Sequence, residues 1–394
     1  MNLKEEALKL HRENKGKLAA KSKVKVETKQ DLSLVYTPGV AEVCKEIAAD
    51  TSKIYEYTFK SNSVAVVTDG SAVLGLGNIG AEASLPVMEG KCVLFKELGD
   101  IDAFPICIKT QNDREIINIA RNIAPAFGGI NLEDIAAPRC FKIEEQLLDI
   151  GIPVMHDDQH GSAIVILAAL MNAAKVVNKR IEDLKVVING AGAAGTATAK
   201  LLICLGVDKN ICTSVREIVL CDSKGIIYDG RADLNEYKMQ MAKVTNRSKR
   251  KGTLKDALAG ADVFIGLSTG NLLVGDDLKK MNKDSIVFAM ANPIPEIMPD
   301  EARKVATVVG TGRSDFPNQI NNSLAFPGVF RGALDAKAAK INNEMKIAAA
   351  HALAGCVKPT KDNILPYTLD KKVVPAVAEA VKKAAIETGV VRRH

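Results

Sequence analysis

The sequence predicts an α/β protein of two domains, an N-terminal α/β domain over residues 1–158 and a doubly wound parallel-sheet domain of the Rossmann type over residues 159–394. Short apolar runs typical of buried strands alternate with helical patterns through most of the chain. One run, at residues 186–189, ends in three glycines spaced G-x-G-x-x-G before a helical stretch. A length of 394 residues with 47% hydrophobic content is enough for about two or three domains.

The first fifty residues are predicted to be helical apart from one sharp turn. Residues 1–30 have the polar pattern of one or two helices, and another helix follows at about residues 41–49. The dipeptide Pro38-Gly39 between them predicts a turn. Tyr36 therefore lies at a bend, where its ordinary role would be that of a packing residue with a satisfied hydroxyl.

Strands and helices are predicted to alternate through the rest of the N-terminal domain. The predicted strands are residues 63–68, 91–95, 103–108, 129–134 and 152–155. The predicted helices are residues 82–90, 111–124, 139–149 and an Ala-rich stretch that runs to about residue 177. This last helix would connect the two domains.

The second half continues the alternation, which predicts a parallel sheet with helices on both faces. Its predicted strands are residues 186–189, 218–221, 263–267, 286–289 and 306–310, and Ala- and Lys-rich helices end the chain. Ligands of such sheets bind at the carboxyl ends of the strands. The candidate binding residues at those ends are the glycine turn, Asp222, Ser268, Thr269 and Asn292.

The glycine turn predicts a dinucleotide site, with NAD or NADP as the cofactor. Gly190 would make the turn, Gly192 would admit the pyrophosphate, and Gly195 would let the helix pack on the strand. The amides of Ala193 and Ala194 would face the pyrophosphate at the helix N-terminus. A second glycine pattern, at residues 75–80, lies five residues beyond its strand and predicts a backbone-rich loop lining a shared cleft.

Asp222 bears on the choice of cofactor. It follows the predicted strand at residues 218–221, the position at which an acid binds the ribose hydroxyls and repels a 2′-phosphate. We therefore expect NAD to be preferred to NADP. Asp222 is further from Gly195 than is usual for this acid, and the neighbouring Lys224 opposes the preference.

Two pairs of carboxylates end neighbouring predicted strands: Glu133 with Asp134, and Asp157 with Asp158. Parallel strands would bring all four to one edge, where their mutual repulsion favours a divalent cation. An all-oxygen set suits Mg²⁺ or Mn²⁺. Any one of these acids could instead be a helix cap, and zinc on His156 and His160 lacks a third nitrogen or sulfur ligand.

Lys91 directly precedes an apolar run, and burial there would lower the pKa of its ammonium towards that of a usable base. The alternative is a lysine that extends its charged end to solvent, which is the common case at a strand start.

Composition indicates the class of partner, the state of the cysteines and the cellular location of the protein. The formal charge of +6 comes from 53 basic and 47 acidic residues, and the basic clusters at residues 15–29 and 247–251 lack interleaved aromatics, so no nucleic-acid partner is expected. Eight cysteines without C-x-x-C spacing predict reduced thiols. The charged first ten residues and the lack of a long apolar run predict a cytoplasmic protein without a membrane partner.

Taken together, the motifs resemble those of malic enzyme in its compact bacterial-type form, over nearly the whole chain. The matching segments are residues 35–40, 67–70, 75–80, 132–134, 156–161, 190–195, 291–293 and 312–322. The resemblance implies metal-dependent oxidative decarboxylation of L-malate to pyruvate and CO₂ with NAD(P)⁺, in a homodimer or higher homo-oligomer. Another Rossmann dehydrogenase with an N-terminal substrate domain, or a nucleotide-sensing module, would have no need of the paired acids.

The resemblance also implies a role for particular residues. Lys91 would be the general base for the malate hydroxyl, Asp157 its partner, and Tyr36 the acid that protonates the enol. The implied metal ligands are Glu133, Asp134 and Asp158, and the implied substrate and nicotinamide contacts are Asn292, Asn322 and its neighbour Asn321. Larger malic enzymes have an arginine for the substrate carboxylate just after the Asp-Gly turn. This chain has Ser71 there, so Ser71 and the loop amides of residues 75–80 are the expected substitute.

Overall fold

The N-terminal segment lies on the surface of the protein. The structure, a computed structural model, describes residues 3–208 and 210–392. The segment contains four helices: α1 (Leu3–Asn14), α2 (Lys29–Val35), α3 (Val40–Ala49) and α4 (Ile54–Tyr57). None of the residues from 3 to 59 is buried, and Leu32, Leu34 and Tyr36 are all more than half exposed. The segment therefore adds no buried side chain to the hydrophobic cores of the chain.

The first sheet is fully parallel, with strand order β2-β1-β3-β4. Its strands are β1 (Ser63–Thr68), β2 (Asp102–Cys107), β3 (Gly129–Leu132) and β4 (Val154–His156). Its helices are α5 (Gly80–Gly99), α6 (Asp113–Ile123) and α7 (Arg139–Glu145). Because β1 lies inside the sheet and the chain leaves it to both sides, the carboxyl ends of β1, β3 and β4 share one edge.

The predicted strand at residues 91–95 is wrong, because this stretch is the second half of helix α5. Met88, Cys92 and Phe95 are buried at helical spacings of four and three residues. A short apolar run cannot be assigned to a strand or a buried helix by periodicity alone. The helix places Lys91 one turn before Phe95, on a buried face rather than at the edge of the sheet.

Helix α8 (Asp157–Val176) begins directly after β4 and joins the two halves. It is buried along most of its length, packs against α9 (Ala193–Leu202), and lies in a core that also contains Val64 of the first sheet. Asn172 anchors its far end by donating to the carbonyls of Ala354 and Ile364 at 2.9 Å each. The predicted domain boundary at residues 158/159 falls in the first turn of this helix and stays a prediction.

The second sheet has the order β10-β9-β8-β5-β6-β7 and confirms the predicted doubly wound fold. Its parallel strands are β5 (Lys185–Asn189), β6 (Glu217–Asp222), β8 (Val263–Gly266), β9 (Ile286–Ala289) and β10 (Val308–Thr311). The two-residue strand β7 (Gly225–Ile226) was not predicted and pairs antiparallel with β6. The chain turns back at β5, between β6 and β8, so the glycine turn lies at the switch point where such sheets bind ligands.

The remaining helices cover the sheet and close the chain. They are α10 (Glu236–Val244), α11 (Leu254–Ala257), α12 (Gly275–Leu278), α13 (Pro299–Ala302), α14 (Phe326–Asp335), α15 (Asn343–Gly355) and α16 (Val373–Glu387). Phe326 of α14 meets Phe95 of α5 with ring centroids 4.7 Å apart. The C-terminal helices therefore pack on the N-terminal half, as expected from their apolar faces.

One pair of cysteines departs from the prediction of reduced thiols. Cys204 and Cys212 form a disulfide, whereas the other six cysteines are free. Their eight-residue separation carries no motif, so only the fold could show that the two sulfurs meet. A cytoplasmic location stays a prediction, and the disulfide removes one of its arguments. Within the described residues, no helix combines the length and apolar character needed to cross a membrane.

Candidate active site

The paired acids meet at the carboxyl edge of the first sheet, as predicted. Glu133 and Asp134 directly follow β3, Asp157 and Asp158 open α8 directly after β4, and Leu132 is paired with His156 across the two strands. The carboxylate oxygens of Glu133, Asp134 and Asp158 lie within 4.8 Å of one another.

Local bonds hold these acids in place. Asp134 has a left-handed backbone (φ 53°), and its N–H donates to Asp158 Oδ2 at 2.8 Å. Asn131 Nδ2 donates to Glu133 Oε2 at 2.7 Å. Asn131 was missed by the sequence analysis, although it lies on β3 two residues before Glu133, a spacing that in extended backbone places both side chains on one face.

Lys91 reaches the same cluster from α5. Its Nζ lies 2.7 Å from Asp157 Oδ2, 2.9 Å from Glu133 Oε1, and 4.4 Å from the centre of the Phe326 ring. The lysine side chain is only 10% exposed, and that of Asp157 is fully buried. Phe326 was also missed, because its approach depends on α14 packing across α5.

The electrostatics of the cluster are dominated by its excess of carboxylates. Burial raises the pKa of Glu133 and of Asp157 to about 7 each, and that of Asp158 to about 6, against the opposing effect of Lys91. For Lys91, burial lowers the pKa, but the charges of Asp157, Glu133 and Asp158 together raise it above its ordinary value. The predicted lowering is therefore wrong for the protein without a metal ion.

The donor set fits a hard divalent cation. Several buried carboxylates face a single ammonium, and a second positive charge would relieve their repulsion. The two histidines do not compete. Neither belongs to the group of described residues whose ligand atoms lie together, and the His160 ring instead bonds Glu144 Oε2 at 3.0 Å.

A cavity of about 460 Å³ joins these acids to the glycine turn. It is lined by Lys91, Glu133, Asp134, Asp158, the segment 192–194 and Asn322, among others. The predicted cleft between the two halves is therefore present. Asn321 is adjacent but uses its side-chain oxygen to cap the next turn, at 2.9 Å from the N–H of Ser323.

The glycine turn has the geometry that its spacing predicts. Gly190 adopts φ 117°, and a Cβ there would lie 2.4 Å from the Leu267 carbonyl oxygen. A Cβ on Gly195 would lie 1.7 Å from the carbonyl oxygen of Gly190, so only glycine allows the helix to pack this closely. A Cβ on Gly192 would meet nothing within 4 Å, which leaves that side open to a ligand.

A second cavity, of about 660 Å³, extends from this turn over the carboxyl ends of the second sheet. Its lining includes Gly190, Gly192, Asp222, Ser268 and Thr269. Ser268 is held from two sides: its hydroxyl accepts from Asn189 Nδ2 at 2.7 Å, and its N–H donates to the buried Glu296 at 3.0 Å.

Asp222 is surrounded by cations that the sequence analysis did not foresee. Its Oδ2 accepts from Arg231 and, at 2.7 Å, from Lys238 Nζ. Burial opposes ionisation, but these bonds lower the pKa of Asp222 to about 2, so it is charged at neutral pH. Arg231 and Lys238 lie 9 and 16 residues further along the chain.

Ser71 and Asn292 are not among the residues that line the first cavity, although Ser71 is next to Ala72, which does line it. The Ser71 hydroxyl donates to Asp69 Oδ1 at 2.6 Å and accepts from the Ala136 N–H at 2.9 Å. The carbonyl of Asn292 comes close to Gly75, where a Cβ would lie 2.8 Å from its oxygen. Tyr36 is 67% exposed and does not line the cavity of Lys91 either.

Comparison with known proteins agrees with this arrangement. Residues 13–118 match the family model "Malic enzyme, N-terminal domain", and residues 159–386 match "Malic enzyme, NAD binding domain". A Bacillus subtilis protein named bifunctional malic/malolactic enzyme is 58% identical, over all of this chain and 95% of its own. A Geobacillus stearothermophilus NAD-dependent malic enzyme is 55% identical, over 96% of this chain and 78% of its own.

Solved structures show the same likeness. The malic enzyme of Pyrococcus horikoshii superposes with a TM-score of 0.94 at 48% identity, over 100% of this chain and 93% of that one. The NAD-dependent malic enzyme of Thermotoga maritima gives 0.91 at 48% identity, over 95% and 98% of the two chains. The fold and site are those of a nicotinamide-dinucleotide oxidoreductase. Within that class, the chain belongs to the malic enzyme family.

Proposed function

We propose that this chain oxidises and decarboxylates L-malate to pyruvate and CO₂ with reduction of NAD⁺. The observation that carries the proposal is the placement of Lys91 between Glu133 and Asp157, in a cavity that reaches the glycine turn. A base beside the malate hydroxyl and a dinucleotide at the turn are the two groups that hydride transfer from C2 requires.

We propose that Glu133, Asp134 and Asp158 hold Mg²⁺ or Mn²⁺. When bound there, the ion would supply Lewis-acid polarisation of the substrate oxygen and carboxylate. With Glu133 and Asp158 committed to a cation, two of the three charges that raise the pKa of Lys91 are offset, while burial still lowers it. Lys91 Nζ would then take the proton of the C2 hydroxyl, and Asp157 would keep the ammonium so formed in place at 2.7 Å.

We infer that two copies of the chain form a dimer in which Tyr36 enters the cleft of the partner subunit. Two features support this. The segment 3–59 has no buried residue, and Leu32, Leu34 and Tyr36 are exposed together on α2 and at its end. The cleft needs a late proton donor, and Tyr36 does not line the cleft of its own chain.

We propose that the substrate carboxylate is held by side-chain amides and loop N–H groups in place of an arginine. Asn322 lines the cavity directly, Asn321 is its neighbour in sequence, and Asn292 lies beside Gly75 of the glycine loop. The N–H groups of Ile79 and Gly80 both donate to the carbonyl of Gly70, so the amides of Gly75, Gly77 and Asn78 are the remaining donors of that loop. A bond from Ser71 to the substrate carboxylate stays a prediction. In the structure the hydroxyl donates its one hydrogen to Asp69 instead.

The proposed activity is tested by mixing the protein with L-malate, NAD⁺ and Mn²⁺ and following NADH absorbance. We expect turnover that is abolished by a chelator and restored by Mn²⁺ or Mg²⁺, because the acid cluster needs a cation to hold substrate. Full activity after exhaustive chelation would rule out the metal site.

Analysis of the products for lactate as well as pyruvate tests the second activity in the name of the Bacillus subtilis relative.

The second prediction concerns Asp222 and cofactor choice. We propose that the native protein prefers NAD⁺ for two reasons. The charged carboxylate of Asp222 would repel a 2′-phosphate, and it already pairs with Arg231 and Lys238, the two cations that could otherwise bind that phosphate. In the Asp222→Ser variant both cations become available, so the ratio of kcat/KM for NADP⁺ to that for NAD⁺ should rise by about tenfold or more. The matched control is Asp233→Ser, which removes a more exposed acid that also pairs with Arg231. A native preference for NADP⁺ would contradict the proposal.

A further inference from the structure

A third cavity, of about 430 Å³, shares Phe141 of α7 with the wall of the dinucleotide pocket. Its wall is formed mainly by α7, α9, α10 and the start of α15. The lining includes Glu144, His160, Lys200, Tyr237, Asn343 and Lys346. The volume is in the range of about 300–1,000 Å³ that is typical of small-molecule sites. None of the steps proposed above uses this cavity.

Lys346 is the unusual residue of the cavity. It is only 6% exposed, and the Asn343 side-chain oxygen, 3.4 Å from its Nζ, is the one hydrogen-bond acceptor recorded for it among the described residues. An ammonium carries three donors, and burying it with so few partners is costly. Burial accordingly lowers the pKa of Lys346, against the attraction of Glu144. An acceptor with negative charge is the missing partner.

Glu144 does not fill that role. Its carboxylate accepts from the N–H of His156 at 2.8 Å, from Gln159 Nε2 at 3.0 Å, and bonds the ring of His160 at 3.0 Å. Within residues 3–208 and 210–392, no ion pair joins any carboxylate to Lys346 or to Lys200. Lys346 and Lys200 therefore lack a paired anion, while Glu144, the buried acid of the cavity, is already bonded to other groups.

We propose that this cavity binds a small metabolite anion, with a carboxylate or phosphate group held between Lys346 and Lys200. The remaining wall suits the body of such a molecule, since Tyr237 and Leu201 offer apolar surface and Gln240 a polar contact. Glu145 and Glu236 at the exposed rim disfavour a large polyanion such as a nucleoside triphosphate. The ligand is therefore small and carries one or two negative charges.

The site lies next to the metal-binding acids without including them. Glu144 connects the two, because the three groups it binds belong to the β4 end and to the first turn of α8, which carries Asp157 and Asp158. A ligand on Lys346 would thus contact the support of the active-site acids rather than the acids themselves.

The proposal is tested by titration calorimetry on the metal-free protein saturated with NAD⁺, which keeps probes off the glycine turn. Inorganic phosphate and acetate are titrated separately. We expect saturable binding of at least one probe at one site per chain, and a Kd at least about tenfold weaker in Lys346→Met, which keeps the length of the side chain and removes its charge. Binding of phosphate alone would indicate a phosphorylated ligand, and binding of acetate alone a carboxylate.

Two further variants make the result decisive. Lys200→Met removes the other cation from a more exposed position and should weaken the same probe, so the test does not depend on the folding of one variant. Lys383→Met removes an exposed lysine that pairs with Glu387 on α16, outside the cavity, and should leave the Kd unchanged. No saturable binding of either probe, or equal affinity in the Lys346→Met, Lys200→Met and wild-type proteins, would overturn the proposal.

Discussion

Replacing Lys91 by alanine is expected to lower kcat for malate oxidation by about a hundredfold or more, the usual loss when a general base is removed. Nζ is the only ammonium bonded to both Glu133 and Asp157 within the described residues. Affinity for Mn²⁺ should not weaken, because the variant lacks the ammonium that competes with the metal ion for the carboxylates. A small amine such as methylamine should restore part of the rate by entering the vacated space beside Phe326.

The control for this variant is Lys96→Ala on the same helix. Lys96 pairs with Asp100 and Asp102 but is half exposed, so its loss should leave kcat close to that of the native protein. Mn²⁺ binding measured by calorimetry separates a catalytic defect from misfolding. If Lys91→Ala with bound Mn²⁺ retained a rate within about threefold of native, a proton acceptor other than Lys91 would have to be found.

Replacing Tyr36 by phenylalanine is expected to block the last proton transfer, to C3 of enolpyruvate. The phenol hydroxyl is the group that the native side chain can donate and the phenylalanine side chain lacks. The variant should bind Mn²⁺ and malate as the native protein does, while kcat falls by about a hundredfold. It should also lose the ability to accelerate solvent-deuterium exchange into the methyl group of pyruvate. Exchange at the native rate would make Tyr36 a packing residue.

Mixing two inactive variants tests whether Tyr36 acts in the partner subunit. If it does, a mixed dimer of Lys91→Ala and Tyr36→Phe subunits has both lesions in one cleft and none in the other. Random reassociation should then restore about one quarter of native activity, because half of the dimers are mixed and each has one intact site. If Tyr36 served its own chain, every cleft would carry one lesion and no activity would return.

The matched control pairs Lys91→Ala with Asp157→Asn. These two residues face each other at 2.7 Å within one chain, so no combination of subunits rebuilds an intact cleft. This mixture should stay inactive under the same reassociation conditions. Recovery here would mean that activity returns for reasons other than shared sites.

Strand ends and glycine spacing were predictable because each depends on a few adjacent residues. The run at residues 63–68, the acids after β3 and β4, and the turn at Gly190 combine local composition with the rule that parallel strands share a carboxyl edge. The meeting of Glu133, Asp134 and Asp158 at one edge follows from that rule, whereas their close approach also depends on the left-handed backbone of Asp134 and its bond to Asp158.

Features that depend on distant parts of the chain were not predictable. Phe326 approaches Lys91 from a helix 235 residues away along the chain (326 − 91). The ion pairs of Asp222 form only when the loop with Arg231 and the helix with Lys238 fold back onto β6. Residues 91–95 were misassigned because a five-residue apolar run fits both a strand and a buried helical face. The cavity around Lys346 had no sequence signal, since its walls come from five separate helices.

Helix α8 has a mechanical consequence for how the cleft can open. Its first turn carries Asp157 and Asp158, its body packs along the dinucleotide helix α9, and Asn172 ties its far end to the C-terminal helices. A helix of 20 residues is about 30 Å long. We expect the acids and the glycine turn to travel together as one rigid body. Helix α5 belongs to the same packed core, because Phe95 lies against Phe326, so opening would come from the loop after β1 and would leave Lys91 beside the carboxylates.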